Sequence, residues 1–328
     1  VGLMSWQATL SWEDAKTKAV ILQKIRAFFF GREVIEVDTP LLCESTVTDV
    51  YLEAFKTSFH FSSDTNINIA SDKYLQTSPE YCMKRLLASG YQSIYQLSKA
   101  FRHEAKGHYH NPEFTILEWY RLGFSQMDLI YEVSDLLKDV LGCNEPNIRT
   151  YQDVFIEHVQ IDPLNTNNNE LHDCIIKANK ASDWLLAEND VDVLLQFIMA
   201  EMIEPAIGHS APCFIYNFPI SQASLAQESC DDPRVAERFE CYYKGVELVN
   251  GFCELTDANE QVKRFTDDNE KRQSLGLEVK EIDYKFIDAL ESGIPACSGV
   301  ALGVDRLLML ALDKDSIDEV MTFTIDRA

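Results

Sequence analysis

Three groups of residues in this chain have types and spacings that chemistry can use. The first is Phe101-Arg102-His103-Glu104, a polar loop, and then His110-Asn111-Pro112-Glu113-Phe114. Apolar alternation on either side predicts strands over 94–101 and 113–122, so this is a hairpin. Arg102 and Glu104 stand two apart and would share one strand face. There an arginine can fork onto a phosphate while a glutamate accepts from an adenine amino group, and Phe114 can stack on the base. A surface hairpin with a solvated Arg–Glu pair has the same pattern.

The second group is Ser298-Gly299-Val300-Ala301-Leu302-Gly303-Val304-Asp305-Arg306. At period two, Gly299, Ala301 and Gly303 make a bare face that a ligand or a packed helix can approach closely. Asp305 reads as a cap for the following helix. Arg306 would then sit in the first turn, where a cation opposes the helix dipole and suggests service to a ligand. The third group is Glu240, Glu247 and Glu254. Gly245 and Asn250-Gly251 argue against a helix with a solvated acidic stripe. If the chain reverses at Lys244-Gly245, Tyr242 opposes Glu247 and Glu240 lies diagonal to it. Two carboxylates so placed suit an oxygen-ligated Mg²⁺ shared with substrate phosphates. Glu254 joins that face only if Asn250-Gly251 is a bulge.

The elements that would position these groups follow from local pattern. Ser11 and Asp14 read as a capping box for a helix whose apolar stripe is Ile21, Leu22, Ile25, Phe28 and Phe29, stopped by Gly31. A strand is predicted over Val34–Thr39. Alternating Phe55, Thr57, Phe59 and Phe61 predict another. Ser78-Pro79-Glu80 opens a helix to about Ala88, with Ser78 as cap. On the 113–122 strand, Phe114, Ile116, Glu118 and Tyr120 share a face. Ser125 and Asp128 cap a helix to about Leu141. Residues 144–211 read as a mostly helical insertion within a single domain. Strands follow at 213–218 and 235–255, helices at 258–275 and 283–291, and a closing strand and helix over 297–312. Strands with interspersed helices but no strict alternation predict an α+β fold, a mainly antiparallel sheet flanked by helices.

Charge and composition narrow the function. Of 328 residues, 53 are acidic and 29 basic, a net charge of −24. Such a surface repels a phosphate backbone and argues against tRNA or other nucleic-acid binding. No apolar run reaches a membrane span, and Val1–Leu10 lacks signal-peptide character. The nine cysteines are odd in number and widely spaced, which reads as buried free thiols in a reducing cytoplasm. There is no P-loop and no dinucleotide-binding glycine pattern.

In order along the chain, the helix and strand ending at Pro40, the Arg102–Phe114 hairpin and the Gly299–Arg306 segment resemble the three motifs of class II aminoacyl-tRNA synthetases. Thr77-Ser-Pro-Glu80, Glu118-Trp-Tyr120 and Asn250-Gly-Phe-Cys-Glu254 are similar to the lysyl branch. Ala301 stands where lysyl-tRNA synthetases have glycine, and the chain begins close to the first motif, without their anticodon-binding domain. Both features resemble the synthetase-like ligases that attach (R)-β-lysine to a lysine of elongation factor P, as do Gln222–Gln227 and Arg234–Glu240.

The resemblance implies ATP and Mg²⁺ as co-substrate and cofactor, a homodimer through the first motif, and a cytoplasmic enzyme. It implies that Arg102 holds the α-phosphate, Glu104 the adenine edge, and Phe114 with Arg306 the adenine faces. His103, His110, Asn111, Leu248 and Gly303 join the ATP site, and Glu240 and Glu247 bind the metal. Ser78, Pro79, Glu80, Tyr120, Glu254 and Ala301 line the site for a lysine-like substrate, with Asn250 at its carboxylate. The resemblance leaves as rivals a truncated synthetase that charges tRNA or makes a free amide, and a regulatory subunit without chemistry. Retention of Arg102, Glu104, Glu240, Glu247 and Arg306 speaks against the last.

Overall fold

The computed structural model describes residues 6–62 and 68–328. In chain order the helices are α1 (Trp12–Phe30), α2 (Glu80–Ala88), α3 (Gln126–Leu141), α4 (Tyr151–Val159), α5 (Asn168–Lys177), α6 (Asp183–Ala187), α7 (Val191–Ile198), α8 (Ala258–Ser274), α9 (Tyr284–Gly293) and α10 (Val304–Ala311). The strands are β1 (Ile35–Glu36), β2 (Leu42–Cys43), β3 (Lys56–Ser62), β4 (Asn68–Leu75), β5 (Ile94–Phe101), β6 (Glu113–Leu122), β7 (Asn147–Thr150), β8 (Cys213–Pro219), β9 (Val235–Tyr243), β10 (Val246–Cys253) and β11 (Cys297–Gly303). The α+β architecture with mainly antiparallel pairing is the one expected.

The chain forms two compact units, 1–123 with 256–328, and 124–255. In the first, strands run in the order β1-β5-β6-β11. β1 is parallel to β5, and the other pairs are antiparallel. α1 packs here because its stripe of Ile21, Ile25, Phe28 and Phe29 is buried. Phe29 stacks on Tyr95 at 4.4 Å and meets Trp119 edge-on at 5.2 Å. A separate antiparallel sheet, β2-β4-β3, adjoins the chain leading into α2. The second unit has the order β10-β9-β8-β7, with β7 parallel to β8. The helical stretch after α3 packs Tyr151, Phe155, Leu171, Leu195 and Ile198 against Ile215 and Phe218 of β8.

Several local expectations change. Gly31 has an ordinary helical φ of −67°, and the left-handed residue that turns the chain is Glu33. The strand expected over 34–39 shortens to β1, and β4, too polar for the period-two pattern, was not foreseen. α2 starts at Glu80, with Pro79 at the cap position and the Ser78 hydroxyl accepting the Glu80 N–H at 3.0 Å. Asp305 does not cap α10, which begins after Gly303; its carboxylate accepts the Thr115 N–H at 2.6 Å and faces Lys18 at 3.7 Å. All nine cysteines are free, but three are buried, five are half-buried and Cys230 is exposed. The side chains of Phe59 and Phe61 and residues Val1–Ser5 lie outside the described residues. Among the described residues no helix is long and apolar enough to cross a membrane.

Candidate active site

In the first unit the β5-β6-β11 register lines up three rows on one face. Ile94, Tyr120 and Gly299 make one row; Gln96, Glu118 and Ala301 the next; Ser98, Ile116 and Gly303 the third. The β11 residues of these rows are small, and Tyr120 and Glu118 opposite them are buried. The Glu118 carboxylate accepts the Tyr120 hydroxyl at 2.6 Å and the Ser78 hydroxyl at 2.7 Å. Glu80, two residues on, accepts from Lys84 at 2.7 Å, one turn along α2. Burial raises the Glu118 pKa to about 7, with the Glu80 charge adding to it; the two hydroxyls and Lys84 oppose the rise. A buried carboxyl, a second carboxylate and a phenol each present an acceptor, the chemistry that a cationic amine needs.

At the far end of β5 the Arg102 N–H still pairs with the Pro112 carbonyl, but the chain then bends and Glu104 N–H bonds back to the Arg102 carbonyl. Arg102 and Glu104 therefore lie in the connecting loop and not on a common strand face. The Arg102 guanidinium lies over the Phe114 ring at 5.0 Å. Arg306 reaches this loop from α10, donating to the Tyr109 carbonyl at 3.3 Å and pairing with the His110 ring at 2.8 Å. His103 is anchored by its N–H to the Glu53 carbonyl at 2.7 Å and rests on Phe55. Glu53 in turn is held by Lys280 at 2.9 Å and by the buried Arg272. Asn111 is buried and commits its amide to the backbone of Glu113 and Ile325, so it braces the loop from within.

The second unit holds the acidic hairpin. Lys244 and Gly245 both have positive φ, the geometry of a two-residue turn, and Glu247 opposes Tyr242 as anticipated. The register shift falls between Glu247 and Val249, at Leu248, not at Asn250-Gly251. Gly251 is required for another reason: a β-carbon there would collide with the Phe239 ring. Past the shift Asn250 opposes Glu240, and by alternation Glu254 falls on the same face as Glu240 and Glu247. Glu240 is buried and takes hydrogen bonds from Arg238 and from the Tyr242 hydroxyl. Burial raises the Glu240 pKa; Arg238 counters this and Glu247 reinforces it. Among the described residues no group of three or more metal-ligating side chains converges. Two carboxylates on one face fit a Mg²⁺ whose remaining ligands are substrate oxygens and water.

The predicted residues thus fall into two sets by unit. Arg102, His103, Glu104, His110, Asn111, Phe114, Gly303 and Arg306, with Ser78, Pro79, Glu80, Tyr120 and Ala301, belong to the first. Glu240, Glu247, Leu248, Asn250 and Glu254 belong to the second. Sequence reasoning did not assign roles to Glu118, Lys84 and Arg238. Glu118 had a signal, a charged residue on an apolar strand face. Arg238, two before Glu240 and thus on its face, had another.

Comparison with known proteins agrees with this geometry. The family model for class II tRNA synthetases (D, K and N) matches residues 8–327. Proteins named elongation factor P–(R)-β-lysine ligase from Salmonella typhi and Salmonella typhimurium are each 50% identical over 325 residues, 99% of this chain and 98% of theirs. The one from Sodalis glossinidius is 48% identical over 324 residues. An α+β core matched over nearly its whole length, with relatives at about half identity, leaves one conclusion: the chain belongs to the class II tRNA synthetases of the D, K and N type, in the same family as these ligases.

Proposed function

We propose that the chain is an ATP-dependent ligase that activates (R)-β-lysine as an adenylate and transfers it to the ε-amine of a lysine of elongation factor P. The observation that carries this reading is the enclosed cluster of Glu118, Tyr120, Ser78 and Glu80, which suits a diamine. An aspartate or asparagine site would need cationic or neutral donors there. The names and near-complete overlap of the relatives support the acceptor.

In the first step the substrate carboxylate attacks the α-phosphorus of ATP in line, and pyrophosphate leaves. Arg102 holds the phosphate that gains charge, Arg306 neutralises the neighbouring oxygens, and His110 with Asn111 helps place the triphosphate. Phe114 offers a face to the adenine, and Glu104 its edge. Glu240 and Glu247 would hold Mg²⁺, which would supply charge neutralisation on the phosphates. Glu80, Tyr120 and Glu254 bind the amines, Asn250 the carboxylate, and Ala301 limits the room beside Glu118. In the second step a neutral protein amine attacks the adenylate carbonyl, forms an amide and releases AMP.

The same reading includes a cytoplasmic homodimer. Phe30 and Ile35 are exposed beside a cavity of about 410 Å³ lined also by Arg26, Val34, Glu36 and Tyr95, a surface suited to a second copy. Phe30→Glu should sediment as a monomer where the unaltered chain is a dimer; an unaltered chain that is monomeric would contradict this. The activation step is tested by amino-acid-dependent exchange of labelled pyrophosphate into ATP. (R)-β-lysine should support exchange well above aspartate or asparagine; the reverse order would sink the assignment.

A further inference from the structure

Gln96 lies in the middle row of the β5-β6-β11 face, directly across from Glu118. It is 2% exposed. Its amide nitrogen donates to the Ser98 hydroxyl at 3.1 Å, which fixes the amide plane. Its side-chain carbonyl oxygen is buried and accepts no hydrogen bond from any of the described residues. A buried acceptor left unsatisfied is costly, and such groups are expected to meet a donor from a ligand or water.

We infer that Gln96 is a further specificity residue of this site, its carbonyl oxygen accepting a hydrogen bond from the terminal ammonium group of the lysine-like substrate. The inference rests on the proposed function and deepens it. Glu118 stands four residues beyond Phe114 along β6, about 13 Å at the rise of a strand. The substrate carboxylate must reach the phosphates held at the Arg102 loop, so the amine farthest from it extends toward the Glu118 row. An ammonium has three donors. Glu118 is already engaged with Tyr120 and Ser78, and Glu80 with Lys84. A neutral acceptor adds to the shell without a further negative charge next to Glu118.

Gln96→Leu removes the acceptor at similar volume, and Gln96→Met serves if the first variant fails to fold. By pyrophosphate exchange, kcat/KM for (R)-β-lysine should fall about 10–100-fold, the range for a lost hydrogen bond to a charged group. KM for ATP should be unchanged. Inhibition by 3-aminohexanoate, which lacks the terminal amine, should have the same Ki in variant and unaltered enzyme. Unchanged kcat/KM, or an equally large rise in the Ki of 3-aminohexanoate, would overturn the inference. Failure of the unaltered enzyme to use any lysine would instead overturn the function on which it rests.

Discussion

A carboxyl buried on a strand face resists ionisation, and Glu118 is the clearest instance here, its pKa raised from 4.5 to about 7 mainly by burial. An acid whose pKa is higher folded than unfolded favours the fold when protonated. Its contribution to stability is therefore greatest below about 4.5, declines as pH rises to about 7, and is level above that. Substrate binding has the opposite preference, because an ammonium is held best by the carboxylate. KM for the lysine-like substrate should fall as pH rises through about 7, and Glu118→Gln should lose that dependence; the same pH profile in both enzymes would show that another group sets it. Arg102 is the other residue whose role can be isolated. Arg102→Ala should lower pyrophosphate exchange about 10²–10³-fold, the cost of one lost transition-state donor, and near-normal exchange by a folded variant would remove it from the phosphate site. The residues that touch solvent-facing motifs were legible because their types are unusual for loops. Glu118 was legible as a charged residue on an apolar strand face, but its hydrogen bond from Ser78, 40 residues away, was not.

Elements were legible where a local device sets them. The capping box of α3 forms as read, the strands 94–101 and 113–122 keep their predicted bounds, and Lys244-Gly245 makes the turn that places Glu247 across from Tyr242. Where two elements must fit each other, the pattern was silent. The glycine at 251 answers to the Phe239 ring on the neighbouring strand, and the shift at Leu248 shows only in the pairing of β9 with β10, neither of which a local pattern contains. Gly251→Ala should cost about 1–3 kcal/mol by overpacking, read as a lower Tm. Trimming the ring by Phe239→Leu in the same chain should recover part of the loss, and additive losses would mean that the two do not meet. Ala301 belongs to the same scale, since its methyl matters through its place opposite Glu118. Ala301→Gly should raise kcat/KM for α-lysine relative to (R)-β-lysine, by the roughly 1–3 kcal/mol that one methyl can discriminate. An unchanged ratio for the two lysines would free Ala301 from any part in the choice.

At the scale of the whole molecule, charge favours a protein acceptor over a tRNA. A net charge of −24 opposes the many phosphate contacts by which a tRNA is held. A protein that offers one lysine makes no such demand. The fold class was legible from the succession of strands and helices, but the division into two compact units was not, because no linker composition marks Gly123 or Leu255. The most direct test of the account places both acceptors in one reaction: enzyme, ATP, Mg²⁺, labelled (R)-β-lysine, elongation factor P and bulk tRNA, followed by intact-mass analysis of the protein and alkaline hydrolysis of the RNA. Elongation factor P should gain the mass of one lysyl residue as a stable amide, with negligible label on tRNA. An alkali-labile ester on tRNA with elongation factor P unmodified would contradict it.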